Sequence, residues 1–421
     1  MIETLSICPG VTLRCYQDHR FKQGRISLQL VRPMCREEVA LNALVPMVLL
    51  RGTRKHPDLR AITMHLDDLY GATVGDLVRR IGDYQTTGFY CGFTEDRFAM
   101  TGDAILAPVV EFLGEILLQP KLEDGIFCQE IVQSEKRNLI CDLEAQRNDK
   151  ASYASGELIK VLCRGDSFAI PRLGEKELVA PVTAEGLYQH YQKILREAPV
   201  EIFYVGAAEP EQIAGLLKPL FDSIDRHVSP LPPQTALHAA GTDHIRQEMD
   251  ISQSRLCLGY VTPITNRTAD FAAMQVMNTV LGSGMTSKLF QNIREKMSLC
   301  YSIGSGYYGS KGILTVSAGI DADKEEIVRS QVEKQLDDCR NGCISEEELQ
   351  AAREAVLSSL RGVLDSPGAI EGFFATSALS GLGLSLPEYR AAVERVTRED
   401  VAAAAGSLRS CASFFLKGVA R

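Results

Sequence analysis

The sequence predicts an α+β fold of two homologous units, each a mostly antiparallel β-sheet backed by helices. Three observations support this prediction. Short strand-like runs lie between helical patterns, similar runs recur in both halves of the chain, and a proline cluster separates the halves. The chain has 421 residues, 45% of them hydrophobic and 24% charged, which is typical of a globular protein with sizeable cores.

The strand-like runs are short, rich in β-branched and aromatic residues, and bounded by turn residues. They are Gly88–Thr94, Val200–Ala207, Leu256–Thr262 and Gly312–Ile320. Two long helical patterns, from Phe127 to Asn148 and from Ser345 to Leu364, occupy matching places in the two halves. Runs of strands combined with consecutive helices favour antiparallel sheets over a regular parallel α/β arrangement.

The two halves of the chain resemble degenerate copies of each other. RISLQLVRP from Arg25 resembles RLCLGYVTP from Arg255, and a helical apolar pattern follows each run. VTAEGLYQHYQ from Val182 resembles VTREDVAAAAG from Val396. In both of these segments a threonine precedes an acidic residue, as expected where a helix begins. An internal duplication of an α/β unit is the simplest explanation.

A proline cluster, SPLPPQT from Ser229, marks the boundary between the copies. Prolines in this number do not fit inside a helix or a central strand, so the segment is predicted to be a linker. The chain is therefore divided into a first domain at 1–228, a linker at 229–240 and a second domain at 241–421.

Charge and composition exclude several classes of partner. The net charge is −9 and the chain has no basic stretch that could neutralise phosphates, so no nucleic-acid partner is expected. No apolar run approaches about 20 residues, so no membrane span is expected, and the N-terminal residues do not resemble a signal peptide. Twelve cysteines without a C-x-x-C motif favour free thiols and a cytoplasmic location.

Two stretches of the chain resemble the motifs of a known family. LGSGMTSKLFQNIREKMSLCYS, from Leu281 to Ser302, is similar to the second-domain signature of the pitrilysin/insulinase family of zinc peptidases. ALVPMVLLRGT, from Ala43 to Thr53, aligns with the H-F-L-E-H-M-L-F-K-G-T helix of the first domain, and SEKRNLICDLE aligns with the helix that bears the distal glutamate. Leu50–Ala72 and Glu135–Lys150 resemble zinc-free bacterial members associated with 5-aminopentanol modification of elongation factor P.

The first domain departs from the family at its zinc site. Where active members have H-x-x-E-H, this chain has Ala43, Pro46 and Met47, none of which supplies an imidazole or a general base. The distal ligand position is Asp142, on the same helical face as Glu135. Two carboxylates do not replace the full zinc ligand set, and a structural role on a helix face is the alternative for this pair. No cofactor is therefore expected in this chain.

The second domain retains the substrate-facing pair that the resemblance implies. Arg294 and Tyr301 correspond to the arginine and tyrosine that reach toward zinc-bound substrate in active members. A guanidinium or a phenol can donate to an oxyanion or to a backbone carbonyl. The alternative is that Arg294 is an ordinary exposed helix residue and Tyr301 a half-buried strand residue.

The resemblance implies a clamshell of the two domains and a non-catalytic, substrate-binding subunit of a heterodimeric zinc metallopeptidase. Its expected partners are a homologous H-x-x-E-H subunit, which would hold the zinc, and a peptide substrate. Peptide maturation or export is a further role open to this class. A non-enzymatic scaffold with a peptidase-like fold is the alternative function. A self-sufficient hydrolase is not supported, because the sequence offers no nucleophile or metal site.

Overall fold

A computed structural model of the chain describes residues 2–238 and 243–419. Within these residues the strands are β1 Ile2–Cys8, β2 Val11–Gln17, β3 Gln23–Pro33, β4 Thr73–Ile81, β5 Tyr84–Thr94, β6 Leu122–Glu123, β7 Ile126–Phe127, β8 Val200–Gly206, β9 Asp243–Met249, β10 Ser254–Val261, β11 Ser302–Tyr308, β12 Ile313–Ile320 and β13 Arg409–Gly418.

The helices of the same residues are α1 Val39–Leu49, α2 Leu59–Asp68, α3 Leu106–Leu118, α4 Gln129–Gln146, α5 Lys150–Leu162, α6 Lys176–Val179, α7 Ala184–Glu197, α8 Pro210–Asp222, α9 Phe271–Leu281, α10 Glu325–Arg340, α11 Glu346–Gly362, α12 Pro367–Ser380, α13 Leu386–Arg395 and α14 Arg398–Gly406. Leu289–Lys296 forms a π-helix between α9 and β11. None of the described helices is long and apolar enough to cross a membrane.

Two larger sheets organise the fold, and each is mostly antiparallel. The first has the strand order β1-β2-β8-β3-β5-β4, with only β2 and β8 parallel. The second has the order β11-β12-β10-β13-β9, with only β13 and β9 parallel. The strands β3 and β10, which contain the two similar sequences from Arg25 and Arg255, take equivalent inner places in their sheets. The predicted α+β class with two similar units is therefore confirmed.

Each compact unit contains one of the two larger sheets and takes a short segment from the other half of the chain. Unit 1 comprises Met1–Glu144, Ile170–Pro233 and Val363–Leu379. Unit 2 comprises Ala145–Ala169, Gln234–Gly362 and Ser380–Arg421. The division at 229–240 and the linker role of that segment stay predictions. Residues 239 and 240 lie outside the described residues, as do 1, 241, 242, 420 and 421.

Unit 1 has helices on both faces of its sheet because the side chains of β3 alternate between them. Ile26, Leu28 and Leu30 join a core cluster with α1, α3, α7 and α8. Ser27 and Gln29 point to the opposite face, where both donate hydrogen bonds to the buried carboxylate of Glu371 on α12. Arg79 of β4 also binds Glu371, with Nη2 2.8 Å from Oε2, so the buried charge is compensated.

Unit 2 is built in the same way around its own sheet. Leu158 and Leu162 of α5 join a buried cluster with Cys257 of β10 and Phe414 of β13. The helix α9 is buried along its length and contacts α11 and α14. The predicted threonine caps are confirmed, because Thr183 accepts from the Gly186 N–H at the start of α7 and Thr397 accepts from Asp400 at the start of α14.

Candidate functional site

The helix α1 contains the positions that align with the family's zinc-binding motif. This helix is almost entirely buried. Ala43 is fully buried, Pro46 is also buried, and Met47 is partly buried against the core of unit 1. These residues contribute apolar packing area, and the helix presents them to the protein interior. The segment that carries the active motif in the family is here a part of the core.

Pro46 leaves one backbone carbonyl of α1 without its helical hydrogen-bond donor, and a side chain supplies the donor instead. Proline has no N–H, so the carbonyl of Asn42, four residues earlier, has no helical donor. Thr87 of β5 supplies the donor instead, with its Oγ1 2.5 Å from the Asn42 carbonyl oxygen. The buried carbonyl is satisfied, and the proline is tolerated in the middle of the helix.

The side chain of Asn42 extends this polar contact into a buried network. Asn42 Nδ2 donates to Gln85 Oε1 at 2.9 Å, and His190 Nε2 of α7 donates to Asn42 Oδ1 at 2.7 Å. Gln85 Nε2 donates in turn to the carbonyl oxygens of Val39 and Arg172. Burial lowers the pKa of His190 to about 4, so the ring is neutral at neutral pH.

The helix α4 contains the two acidic residues Glu135 and Asp142, which differ in burial. Glu135 is buried, with Oε1 2.6 Å from Arg51 Nε, and it accepts a hydrogen bond from Asn138. Asp142 is exposed. A cavity of ≈ 490 Å³ opens beside Glu135, and its lining includes Arg51, Asp58 and Arg60. Glu135 therefore belongs to an ion pair at the cavity wall.

The donor set on α1 and α4 does not fit a zinc ion. Ala43 has no ligand atom, Pro46 has no basic group, and Met47 offers only a soft thioether. Asp142 is the sole exposed carboxylate among the aligned positions. Among residues 2–238 and 243–419, no group of three or more His, Cys, Asp or Glu side chains is placed to hold a metal ion.

Arg294 lies on the π-helix of unit 2, on a side that faces solvent. Leu289 and Ile293 anchor this helix because both are fully buried. The guanidinium of Arg294 lies over the ring of Phe290, with Cζ 4.6 Å from the ring centroid, and 41% of the side chain is exposed. Its ion pair with Glu295 is long, at 3.8 Å. The guanidinium is oriented by the aromatic ring while its N–H groups remain accessible.

Tyr301 lies just before β11 and is also exposed, at 59%. Its hydroxyl donates to Asp321 Oδ1 at 2.9 Å, and the other oxygen of Asp321 lies 2.7 Å from Lys324 Nζ. The hydrogen bond to Asp321 raises the pKa of Tyr301, and the bonds from Lys324 and Tyr301 lower the pKa of Asp321. The phenol is therefore held protonated and oriented by a charged carboxylate.

The two residues flank a short turn that contains Cys300. Burial raises the pKa of the Cys300 thiol to about 11, and the positive charges of Arg294 and Lys324 oppose that rise. Unit 2 thus presents a guanidinium and a phenol on the same exposed segment. Such a pair can donate hydrogen bonds to carbonyl oxygens of an extended peptide.

Sequence reasoning located these segments but missed the polar groups that support α1. Asn42, Gln85 and His190 come from three distant parts of the chain, and no local spacing connects them. The proline at position 46 was the one available signal, because a buried helix with an internal proline must satisfy a free carbonyl from elsewhere. The roles assigned to Arg294 and Tyr301 stay predictions.

The chain is similar to peptidase-like proteins of the M16 type. Residues 181–356 match the family model described as Peptidase M16 inactive domain. A curated relative, the probable inactive metalloprotease YmfF of Bacillus subtilis (strain 168), is 28% identical over 409 residues, which cover 97% of this chain and 96% of the relative.

Solved structures show the same fold over the whole length. A conserved protein from Enterococcus faecalis V583 superposes with a TM-score of 0.92 at 27% identity, covering 100% of this chain and 99% of the other. The peptidase M16 inactive domain from Pseudomonas fluorescens superposes with a TM-score of 0.82 at 18% identity, again covering 100% and 99% of the two chains. At that lower identity the similarity concerns the fold alone.

Proposed function

We propose that this chain, a homologue of M16-type peptidases that lacks the zinc ligands, is the substrate-binding subunit of a heterodimeric zinc peptidase. The observation that carries the proposal is the contrast between the two candidate segments. The former zinc positions on α1 and α4 do not fit a metal ion, whereas Arg294 and Tyr301 remain exposed as hydrogen-bond donors. The chain is expected to have no peptidase activity alone.

Arg294 and Tyr301 are proposed to bind the peptide at the active site of the partner subunit. In amide hydrolysis the carbonyl oxygen gains negative charge as the tetrahedral intermediate forms, and oriented donors stabilise that charge. The arginine is pre-oriented by Phe290 and the tyrosine by Asp321, so little side-chain entropy is lost when they bind. Both donors can instead hold neighbouring backbone carbonyls, which would lower KM more than it raises kcat.

The proposed partner is a homologous chain that carries H-x-x-E-H and holds the zinc ion. The two subunits would enclose a chamber for extended peptides, which bind partly by adding a strand to a sheet edge. The twelve cysteines, all of them free thiols, support a reducing compartment such as the cytoplasm.

The first experiment is a pull-down of the tagged chain from its native cells, with identification of the proteins that co-purify. A stoichiometric H-x-x-E-H protein is the expected result. Recovery of the chain without such a partner would contradict the heterodimer and favour the non-enzymatic scaffold.

The second experiment measures peptide cleavage by the purified complex. Arg294→Ala and Tyr301→Phe are each expected to reduce kcat/KM by about 10²-fold, the usual effect of removing one oxyanion donor, with the zinc content unchanged. Matched controls are Arg361→Ala and Tyr308→Phe, which change an exposed arginine and a partly exposed tyrosine of the same unit. Equal cleavage by the test and control variants would refute the assigned roles.

A further inference from the structure

Two histidines of unit 1 form a stacked pair that plays no part in the proposed peptide binding. The ring centroids of His56 and His65 are 4.4 Å apart, with the ring planes inclined by 27°. Both rings lie against Phe112 of α3, at centroid distances of 5.6 Å and 4.9 Å. The pair joins α2, which contains His65, to the turn that contains His56 and to α3.

A buried carboxylate accompanies one ring of this pair. His56 Nδ1 lies 2.9 Å from Glu115 Oε1, and the Thr53 hydroxyl also donates to that carboxylate. Within the described part of the chain, the His65 ring makes no hydrogen bond. The carboxylate of Glu115 therefore faces the His56 ring, whereas a proton on His65 would face the other imidazole across the stack.

Most side chains of the helix α2 are at least partly exposed. Of its ten residues, all of which the structure describes, only Ile62 is fully buried. Leu59 and Met64 are 48% and 57% exposed. Ile62, Leu66 and the adjoining Leu69 pack on the core of unit 1, and the aromatic contact of His65 with His56 and Phe112 adds to this attachment.

The charges that face His65 come from three elements. Glu115 of α3 and Asp68 of α2 are negative, and Lys55 of the preceding turn is positive, as is His56 when it is protonated. Burial is the largest cause that lowers the pKa of His65, and His56 lowers this pKa further. The two carboxylates raise it. Because the pKa of His65 is lowered while α2 is packed, His65 binds a proton more readily once α2 is released. Acidification therefore favours release.

We propose that the His56–His65 stack is a pH-sensitive clasp, which holds α2 against α3 at neutral pH and releases it when the His65 ring takes up a proton. The clasp controls the cavity beside Glu135, because Asp58, Leu59 and Arg60 at the start of α2 line that cavity. Release of α2 removes this wall and exposes more of the cavity to solvent. The inference concerns unit 1 alone and is independent of the proposed peptidase partner.

The test is hydrogen–deuterium exchange of the full-length chain at about pH 7.5 and about pH 5.5, corrected for the intrinsic pH dependence of exchange. Around an ordinary histidine pKa of about 6.5, uptake of one proton on opening predicts that protection of the α2 amides falls by up to about tenfold. The amides of α3 serve as the internal reference and are expected to remain protected.

Two variants separate the clasp from general acid sensitivity. His65→Phe keeps an aromatic ring on Phe112 but cannot be protonated, so its α2 protection is expected to be the same at both pH values. His56→Phe leaves a single imidazole and is expected to reduce the pH effect, which provides a second test if His65→Phe does not fold. His227→Phe, at a side chain that is 79% exposed, is the control and retains the wild-type response. The proposal is overturned if wild-type α2 shows no pH dependence, if His65→Phe keeps it, or if α3 opens together with α2.

Discussion

The candidate segments of the two units differ in how far their side chains are committed to the fold. In unit 1, Ala43 and Pro46 of α1 are buried and contribute to the core. In unit 2, the residues that the family resemblance singles out are Arg294 and Tyr301. They are 41% and 59% exposed and contribute little to packing. The residues of the first segment therefore serve the stability of the fold, whereas nothing in the packing of the second segment requires an arginine or a tyrosine.

This difference follows from what each kind of side chain requires of its surroundings. Histidine and glutamate on a core-facing helix must be compensated by a metal or by hydrogen bonds, because buried polar groups without partners are costly. Small or apolar residues at the same positions remove that requirement. Exposed donors carry no comparable cost, so they persist only where a ligand uses them or where substitution is neutral.

The largest expected effect comes from returning a zinc ligand to α1. We expect Ala43→His to destabilise the chain by about 3 kcal/mol or more, because an imidazole has no space or hydrogen-bond partner at a fully buried alanine. Urea unfolding measures the change. Ala403→His, on an exposed face of α14, is the matched control and is expected to change stability by no more than about 0.5–1 kcal/mol. Equal stability of the two variants would show that α1 is not packed as described.

His190 tests the buried network beside α1. Its pKa is about 4 in the folded chain against 6.5 for an ordinary histidine, so the unfolded chain binds the extra proton between these values. Stability is therefore complete above about pH 6.5 and falls by about 3 kcal/mol as the pH approaches 4. His190→Gln can retain a donor to Asn42 Oδ1 and is expected to lack this part of the pH dependence in urea unfolding.

Exposed His227 provides the comparison for that experiment. His227→Gln should follow the wild-type profile, because its side chain is 79% exposed and changes little on unfolding. The other acidic and basic groups contribute equally to all three proteins and cancel in the differences. A His190→Gln profile parallel to the wild type would contradict the assignment.

The sequence was sufficient where local chemistry determines structure. Alternating or apolar runs bounded by turns identified β5, β8, β10 and β12, and the threonines before α7 and α14 identified two helix starts. These features depend on residues within a few positions of each other. The internal similarity of the halves extended the local predictions to the fold class.

The remaining features depend on contacts between distant residues. Nothing in the sequence of α5 or α12 indicates that each packs on the sheet of the unit built mainly from the other half of the chain. The stack of His56 on His65 requires the turn after α1 to bring the two rings together. The π-helix around Arg294 differs from an α-helix only in register, which apolar spacing over eight residues does not distinguish.

A smaller effect is expected from the contact between Thr87 and the Asn42 carbonyl. Thr87→Val keeps the side-chain shape and removes the donor, so it should cost about 1–2 kcal/mol. In a Pro46→Ala background the backbone N–H of residue 46 can satisfy the same carbonyl, and the cost should fall by about 1 kcal/mol. A double-mutant cycle in urea measures this coupling. Additive effects would mean that Thr87 and Pro46 act independently.

The smallest effect is expected at Tyr301, because both it and Asp321 are at the surface. Asp321→Asn removes the charged acceptor that raises the pKa of Tyr301, so that pKa should fall toward the ordinary value near 10 while the urea midpoint stays unchanged. The difference between ultraviolet pH titrations with and without Tyr301→Phe isolates this one phenol from the other tyrosines. Asp323→Asn is the matched surface control. If Asp321→Asn left the Tyr301 titration unchanged, the carboxylate would not orient the phenol, and the tyrosine would have to be positioned by the ligand itself.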